Sequence, residues 1–339
     1  MKIKGKILNV KDGDAIIIQA EKGSEKLLIV IDGGDKDFKS KTLDQVKQYC
    51  QEMNKKAPDL IVCTHYDSDH IAGIITLIEH YKSEIGQVWV HQPHGQLKDS
   101  LRAAPLVLEH IQDNTSILDL NSYGLYHSYL AAPQFDKYKL VIESVDQLNN
   151  LLSLIKKYNI STREPVSGEC SLDGWDEIKV IGPTREYYNK IIGKPKNMIE
   201  IFQDEYEYMI LENAREKKQT SADPCTLLKT TSSITKTNKV SAVIKFDCED
   251  GGYLFTGDAG IESFKAAEGY PESLRNLKFL KVPHHGSNNN ISRELIDIMN
   301  PAIAYSSGYI HQDQEVIDCL SRRPGIQVKT TKESGDLTF

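Results

Sequence analysis

The chain has 339 residues, of which 40% are hydrophobic and 26% charged, and its net charge is −7. That composition supports a buried core and excludes disorder as the main state. No apolar run approaches the roughly 18 residues of a membrane span, and the acidic balance argues against a protein that coats duplex nucleic acid. The N-terminal MKIKGKILNV enters a strand-like pattern directly, so no secretory signal is expected. The six cysteines, at 50, 63, 170, 225, 248 and 319, form no C-x-x-C pair. They are expected to be reduced thiols of a cytoplasmic protein rather than a disulfide framework.

Lys2–Val10 alternates apolar and basic residues, as a half-buried strand does. After the turn at Asp12-Gly13-Asp14, further strands are predicted at Ala15–Gln19 and Lys26–Asp32, giving the sheet an antiparallel start. Thr42 and Gln45 have capping-box spacing, and Val46, Cys50 and Met53 make a stripe, predicting a helix over 42–54. Leu60–Cys63 is short and wholly apolar, as in a central strand buried on both faces. Ile71–Tyr81 has helical spacing, and Val88–Val90 is a strand ending at His91.

Residues 97–113 and 143–159 read as helical, the second with a capping box at Ser144 and Gln147. Ile178–Ile181 is a predicted strand and Asn197–Asn213 an acidic helix-like segment. Arg215–Lys239, with six basic and two acidic residues, reads as a loop or flap. Strands are then predicted at Val240–Phe246 and Tyr253–Thr256, joined through Asp250-Gly251-Gly252, and at Lys278–Val282, Ala302–Ser306 and Ile326–Thr330. Helices fit at Ser292–Met299 and Gln314–Leu320.

Three loops, each following a predicted strand, carry metal-ligating residue types. The first is His65-x-Asp67-x-Asp69-His70. Residues two apart in an extended loop point the same way, so His65, Asp67 and Asp69 can converge, with His70 reaching in as a helix begins. Four candidate ligands are too many for one tetrahedral ion that keeps an open position, and suit two ions instead. The second loop is Gly257-Asp258, whose carboxylate can bridge two cations, and the third is Pro283-His284-His285-Gly286. Two adjacent histidines in extended chain project to opposite sides, so one is expected to bind metal and the other to contact substrate or to support the ligands from behind. Bland readings compete: Asp69 can simply cap a helix, Gly-Asp can be a plain turn, and the stripe Leu148–Ile155 is core.

THYDSDHIAG, YLFTGDAG and LKVPHHGS, in this order, resemble the metallo-β-lactamase superfamily. More narrowly, they resemble the hydrolase domain of ComEC-type competence proteins and their soluble relatives. Asn9-Val10, Gly13-Asp14-Ala15 and Ile31-Asp32-Gly33-Gly34 fit that group, as do Ser241-Ala242-Val243 and the ending Thr330–Phe339. The resemblance covers residues 1–92 and 238–339 and is weak or absent across 95–237. It implies an α/β fold of the αββα sandwich type spanning 1–339, with a largely helical insertion at 95–237.

It also implies a site of two divalent ions, Zn or Mn, with His65, Asp67, Asp69, His70, Asp258 and His285 as ligands. The superfamily's His-x-His-x-Asp-His falls on His65, Asp67, Asp69 and His70; the departure at Asp67 puts a carboxylate where an imidazole is usual and favours Mn²⁺ relative to Zn²⁺. The superfamily's middle histidine has no clean counterpart, and His91 and His94 are the candidates. Between His284 and His285, the second is preferred. Asp69, His284 and His311 are expected to take part in catalysis, Asp69 by holding the nucleophile and His311 by facing substrate. His80, His110 and His127 are read as surface or packing residues.

The expected activity is metal-dependent hydrolysis, as a phosphodiesterase or nuclease acting on single-stranded nucleic acid or a nucleotide through cation-activated water. Two alternatives stand beside it: a hydrolase of a small ester, thioester or phosphocholine-like group, and a non-enzymatic effector of a multi-protein, defence-type system whose partner binds 95–237. No G-x-S-x-G elbow and no P-loop is present.

Overall fold

A computed structural model describes residues 1–92, 133–193 and 223–339, apart from the side chains of residues 133–143 and residue 145. Strands β1 (Lys2–Ile7), β2 (Ala15–Lys22) and β3 (Glu25–Gly33) open the chain, followed by helix α1 (Lys39–Met53), β4 (Leu60–Val62), α2 (Ser68–Tyr81) and β5 (Gln87–Trp89). Helix α3 (Pro133–Lys157), β6 (Ser161–Arg163), β7 (Ile178–Gly182) and α4 (Arg185–Ile192) come next. The last part runs α5 (Lys236–Lys239), β8 (Val243–Cys248), β9 (Gly251–Phe255), α6 (Ile261–Lys265), β10 (Leu277–Lys281), α7 (Arg293–Met299), β11 (Ile303–Ser306), α8 (Gln314–Ser321), β12 (Gln327–Thr330), α9 (Thr331–Ser334) and β13 (Leu337–Thr338).

The strands form two mixed sheets, ordered β13-β1-β2-β3-β4-β5-β6 and β12-β11-β10-β9-β8-β7. Each has an antiparallel part and a parallel part: β3 to β6 run parallel in one, β9 to β12 in the other. Side-chain alternation explains how both sheets are buried twice over. Ile16, Ile18, Ile29, Ile31, Leu60 and Val62 share one apolar cluster with Ile244, Phe246, Phe255 and Phe279 of the other sheet. Their neighbours Ile17, Val30 and Ile61 turn the opposite way, into a cluster with Val46, Ile74, Ile78, Leu151 and Ile155 of the helices. In the second sheet Val243, Leu254 and Leu280 likewise meet Phe264, Leu295 and Leu320. Trp89 is fully buried between the sheets and satisfies its indole by donating Nε1–H to Gln87 at 2.6 Å.

Several local expectations change. Helix α1 starts at Lys39, so Thr42 lies inside its first turn and donates Oγ1–H to the Gly33 carbonyl (2.9 Å) instead of capping. Ser144 lies inside α3 rather than at its start, and its Oγ accepts the N–H of Ser68, the first residue of α2 (3.1 Å). Capping-box spacing thus marked two hydroxyls that tertiary packing uses elsewhere. Part of 95–237 is woven into the sheets, because β6 and β7 are the edge strands of the first and second sheet. The helices expected at 97–113 and 197–213 lie outside the described residues, as does the 215–222 part of the expected flap; within 223–239 the chain forms a short 3-10 turn (Pro224–Leu227) and α5.

The expectation of six reduced thiols is corrected at one pair: Cys225 and Cys319, separated by 94 positions, form a disulfide. It joins the 3-10 turn to α8, a contact that linear spacing does not reveal. Cys50, Cys63, Cys170 and Cys248 are free. Among the described residues no helix is long and apolar enough to cross a membrane.

Candidate metal centre

The functional candidates sit at the carboxyl ends of the parallel strands, where α/β sheets gather chemistry. Strand β4 ends at Val62 and delivers His65, with Asp67, Asp69 and His70 following into α2. Strand β9 delivers Asp258, and β10 delivers His284 and His285. The first sheet supplies one half of the cluster and the second sheet the other.

Helix α2 begins at Ser68, so Asp69 and His70 are already helical, and Asp67 occupies the N-cap with no side-chain capping bond. The hydroxyl of Ser144 satisfies one of the orphan N–H groups of that first turn. This leaves the Asp67 carboxylate unengaged in capping, with Oδ2 3.6 Å from His65 Nε2.

Around Asp258, Oδ2 lies 3.7 Å from His65 Nε2, 3.6 Å from His70 Nε2 and 3.5 Å from His284 Nε2. Around Asp69, Oδ2 lies 3.7 Å from His70 Nε2 and 3.6 Å from His285 Nε2. These separations are long for hydrogen bonds. They match two donors each roughly 2.1 Å from one cation at a tetrahedral angle, which stand about 3.4 Å apart. His65, His70 and Asp258 form one group able to hold an ion, and Asp69, His70 and His285 another. His65 Nε2, His70 Nε2, His285 Nε2 and Asp258 Oδ1 are buried without any hydrogen-bond partner. Such orphans are expensive unless something occupies the space they face.

The other nitrogen of each imidazole is tied back, and the network assigns the tautomers. Thr64 Oγ1 donates to Asp32 Oδ2 (2.6 Å), so it accepts Nδ1–H of His65 (3.1 Å). His70 gives Nδ1–H to Asp32 Oδ2 at 2.9 Å. Asn290 spends its amide N–H groups on the carbonyls of Asp258 and Ala259, leaving Oδ1 to accept Nδ1–H of His284 (3.0 Å). Ser307 donates to Asp14 and accepts Nδ1–H of His285 (3.1 Å). All four rings therefore present the Nε2 lone pair inward, the arrangement that outer hydrogen bonds impose on metal-ligating histidines.

Charge follows the same geometry. Burial alone would lower the His70 pKa, but Asp258, Asp69 and Asp32 outweigh it and hold it well above the usual value. Burial would raise Asp258, yet His284, His70 and His285 pull it well below the ordinary carboxylate range. Asp69 is likewise lowered against burial, by His70 and His285. The carboxylates draw protons onto the rings, and a divalent cation would take the place of those protons.

The backbone is strained at the same place. Asp32, His284 and His285 have φ of 58°, 44° and 59°, left-handed values uncommon for residues with side chains. That conformation overturns the extended-chain expectation for the His pair. The two rings do not diverge; both Nε2 atoms turn toward cluster carboxylates, His284 to Asp258 and His285 to Asp69. Two glycines close the surrounding loops on the ligands. A Cβ on Gly13 (φ +114°) would come within 2.1 Å of the Asp69 carbonyl oxygen, and one on Gly308 (φ +87°) within 2.5 Å of His285 Cβ.

His311 stacks on His284 with ring centroids 4.9 Å apart, at the edge of the cluster. Burial together with His284 and His285 lowers its pKa to about 4. His91 gives Nε2–H to the Val240 carbonyl (2.9 Å) and stacks on Tyr188, so it belongs to neither ion-holding group. His94, His110 and His127 lie outside the described residues, and His80 packs edge-on against Tyr81.

Sequence reasoning quoted Asp14 and Asp32 without giving them a role, and missed Lys281, Asn290 and Ser307. Lys281 left one legible signal, a charge at the end of a strand whose Leu277, Phe279 and Leu280 are apolar. No protein-family model matches the chain, and no curated protein matches it.

Proposed function

We propose that the protein is a metal-dependent phosphodiesterase whose centre holds two divalent cations, Zn or Mn. One observation carries this reading: inward-facing, buried and partnerless imidazole nitrogens from both sheets converge on shared carboxylates. The donor set fits a cation. Asp69, His70 and His285 would hold one ion, and His65, Asp67 and Asp258 would hold the other. The order of the three apolar clusters, helices, sheet, sheet, helices, supports an αββα sandwich and with it the metallo-β-lactamase resemblance.

Bound cations would supply Lewis acidity, activating water and offsetting charge on a phosphoryl oxygen. The chain's own residues do the rest. Asp32, Thr64, Asn290 and Ser307 fix the rings so that little reorganisation remains when charge develops. Asp69, one of the three residues that would hold one ion and partly open to solvent, would orient the attacking water. His311, neutral above its lowered pKa, stands beside His284, where its ring would meet the substrate by hydrogen bonding.

The net charge of −7 favours a single strand or a small nucleotide over duplex, and also supports a small-ester hydrolase as the second reading. Purified protein is incubated with Mn²⁺ or Zn²⁺ on single- and double-stranded DNA and RNA and on chromogenic phosphodiesters and esters. Cleavage of phosphodiesters, abolished by chelator, is the expected result. Bound metal with no phosphodiester cleaved rejects the reading, and turnover of carboxylic esters alone transfers it to the second.

A further inference from the structure

One ion pair is buried where the two sheets meet beside the cluster. Lys281 ends β10 in the second sheet and Asp14 precedes β2 in the first; both are essentially without solvent exposure, and Nζ lies 2.6 Å from Oδ2. Stability does not account for the pair. Burying two charges costs several kcal/mol per ion, and apolar replacement of such pairs is often neutral or stabilising.

The remaining contacts point at the cluster. Lys281 Nζ also donates to the Val282 carbonyl at 3.0 Å, which fixes the ammonium. Asp14 Oδ1 accepts the hydroxyl of Ser307, which sits just past β11. With its proton committed to Asp14, Ser307 Oγ turns a lone pair toward His285 Nδ1, 3.1 Å away. Asp14 Oδ1 itself stands 3.9 Å from that nitrogen. Asp14, Asp32 and His70 are also close enough to hold an ion, but Lys281 already supplies a cation there.

We propose that Lys281, Asp14 and Ser307 are a positioning relay for His285. Lys281 holds the Asp14 carboxylate, Asp14 sets the direction of the Ser307 hydroxyl, and Ser307 takes Nδ1–H of His285. The ring then offers its Nε2 lone pair to the cation shared with Asp69 and His70. The relay rests on the metal-centre reading, and its test separates the two.

Full-length wild type, Ser307→Ala, Ser307→Thr and Lys281→Met are titrated with Co²⁺ alone, following visible absorption and metal content by mass spectrometry. The ion held by Asp69, His70 and His285 is identified by its loss in Asp69→Asn. Ser307→Ala is expected to weaken that ion about 10- to 100-fold and shift its absorption band, with the other ion unaffected. Ser307→Thr, which keeps the hydroxyl, restores the wild-type band, and Lys281→Met repeats the alanine phenotype. Should Lys281→Met fail to fold, the alanine and threonine pair decides. Unchanged cobalt binding in Ser307→Ala overturns the relay while leaving the metal centre standing. Equal weakening of both ions with a lower Tm of the metal-free protein also overturns it, since that is what a purely structural serine would do. A wild type that binds no cobalt overturns the metal centre and the relay with it.

Discussion

His70 and His91 are both fully buried, and each has one ring nitrogen bonded and the other without a partner. Their surroundings drive them in opposite directions. Burial lowers both, but three carboxylates around His70 reverse the effect, whereas at His91 burial prevails against Glu164 and the Val240 carbonyl and the pKa falls to about 4. The bonded nitrogens differ too: Nδ1 faces a carboxylate in His70, and Nε2 faces a backbone carbonyl in His91. A buried histidine with a partnerless nitrogen is therefore not by itself a ligand. What distinguishes the cluster from the His91 region is anionic density combined with Nε2 turned inward.

The sharpest way to break this contrast is to remove the shared carboxylate. Asp258→Ala is expected to abolish metal retention on dialysis, read by mass spectrometry, with a loss beyond the ~100-fold that a supporting partner costs. Retention of wild-type metal content would place the centre elsewhere.

The pH dependence of stability tests the other side. The His91 pKa in the fold lies below the ordinary His value of about 6.5, so the unfolded chain binds more protons between those two values and stability falls as pH drops. The contribution is complete above about pH 6.5 and is lost progressively toward pH 4, amounting to about 3 kcal/mol. Urea denaturation of wild type and His91→Gln across pH 7 to 4 should show this slope in the first and its absence in the second. Parallel slopes would count against a neutral buried His91.

A smaller effect is expected at the partner of His70. Asp32→Asn keeps the shape but weakens the acceptor at Nδ1, and Mn²⁺ affinity by calorimetry should drop about 10- to 100-fold. The smallest effect completes the contrast: His91→Gln should leave Mn²⁺ affinity within about twofold of wild type at pH 7.5. A tenfold loss would bring His91 back as a ligand.

Much of the strand framework was legible because apolar runs at Leu27–Ile31 and Leu60–Val62 stand out against polar loops. The short edge strands Ser161–Arg163 and Leu337–Thr338 were not, since two or three residues carry no period. The disulfide was hidden by its 94-residue span. Thr42 and Ser144 misled because a hydroxyl three residues before Gln has the same spacing whether it caps its own helix or serves another element.

Residue chemistry in three loops after three strands was enough to nominate His65, Asp69, His70, Asp258 and His285, the residues of the two groups able to hold an ion. Tertiary structure alone decided how each ring is turned. Asp14 meets Ser307 across 293 positions and Asp32 meets His70 across 38. The first of these bonds follows from two sheets packing face to face and the second from β3 lying beside β4, and no local pattern encodes which nitrogen they will hold.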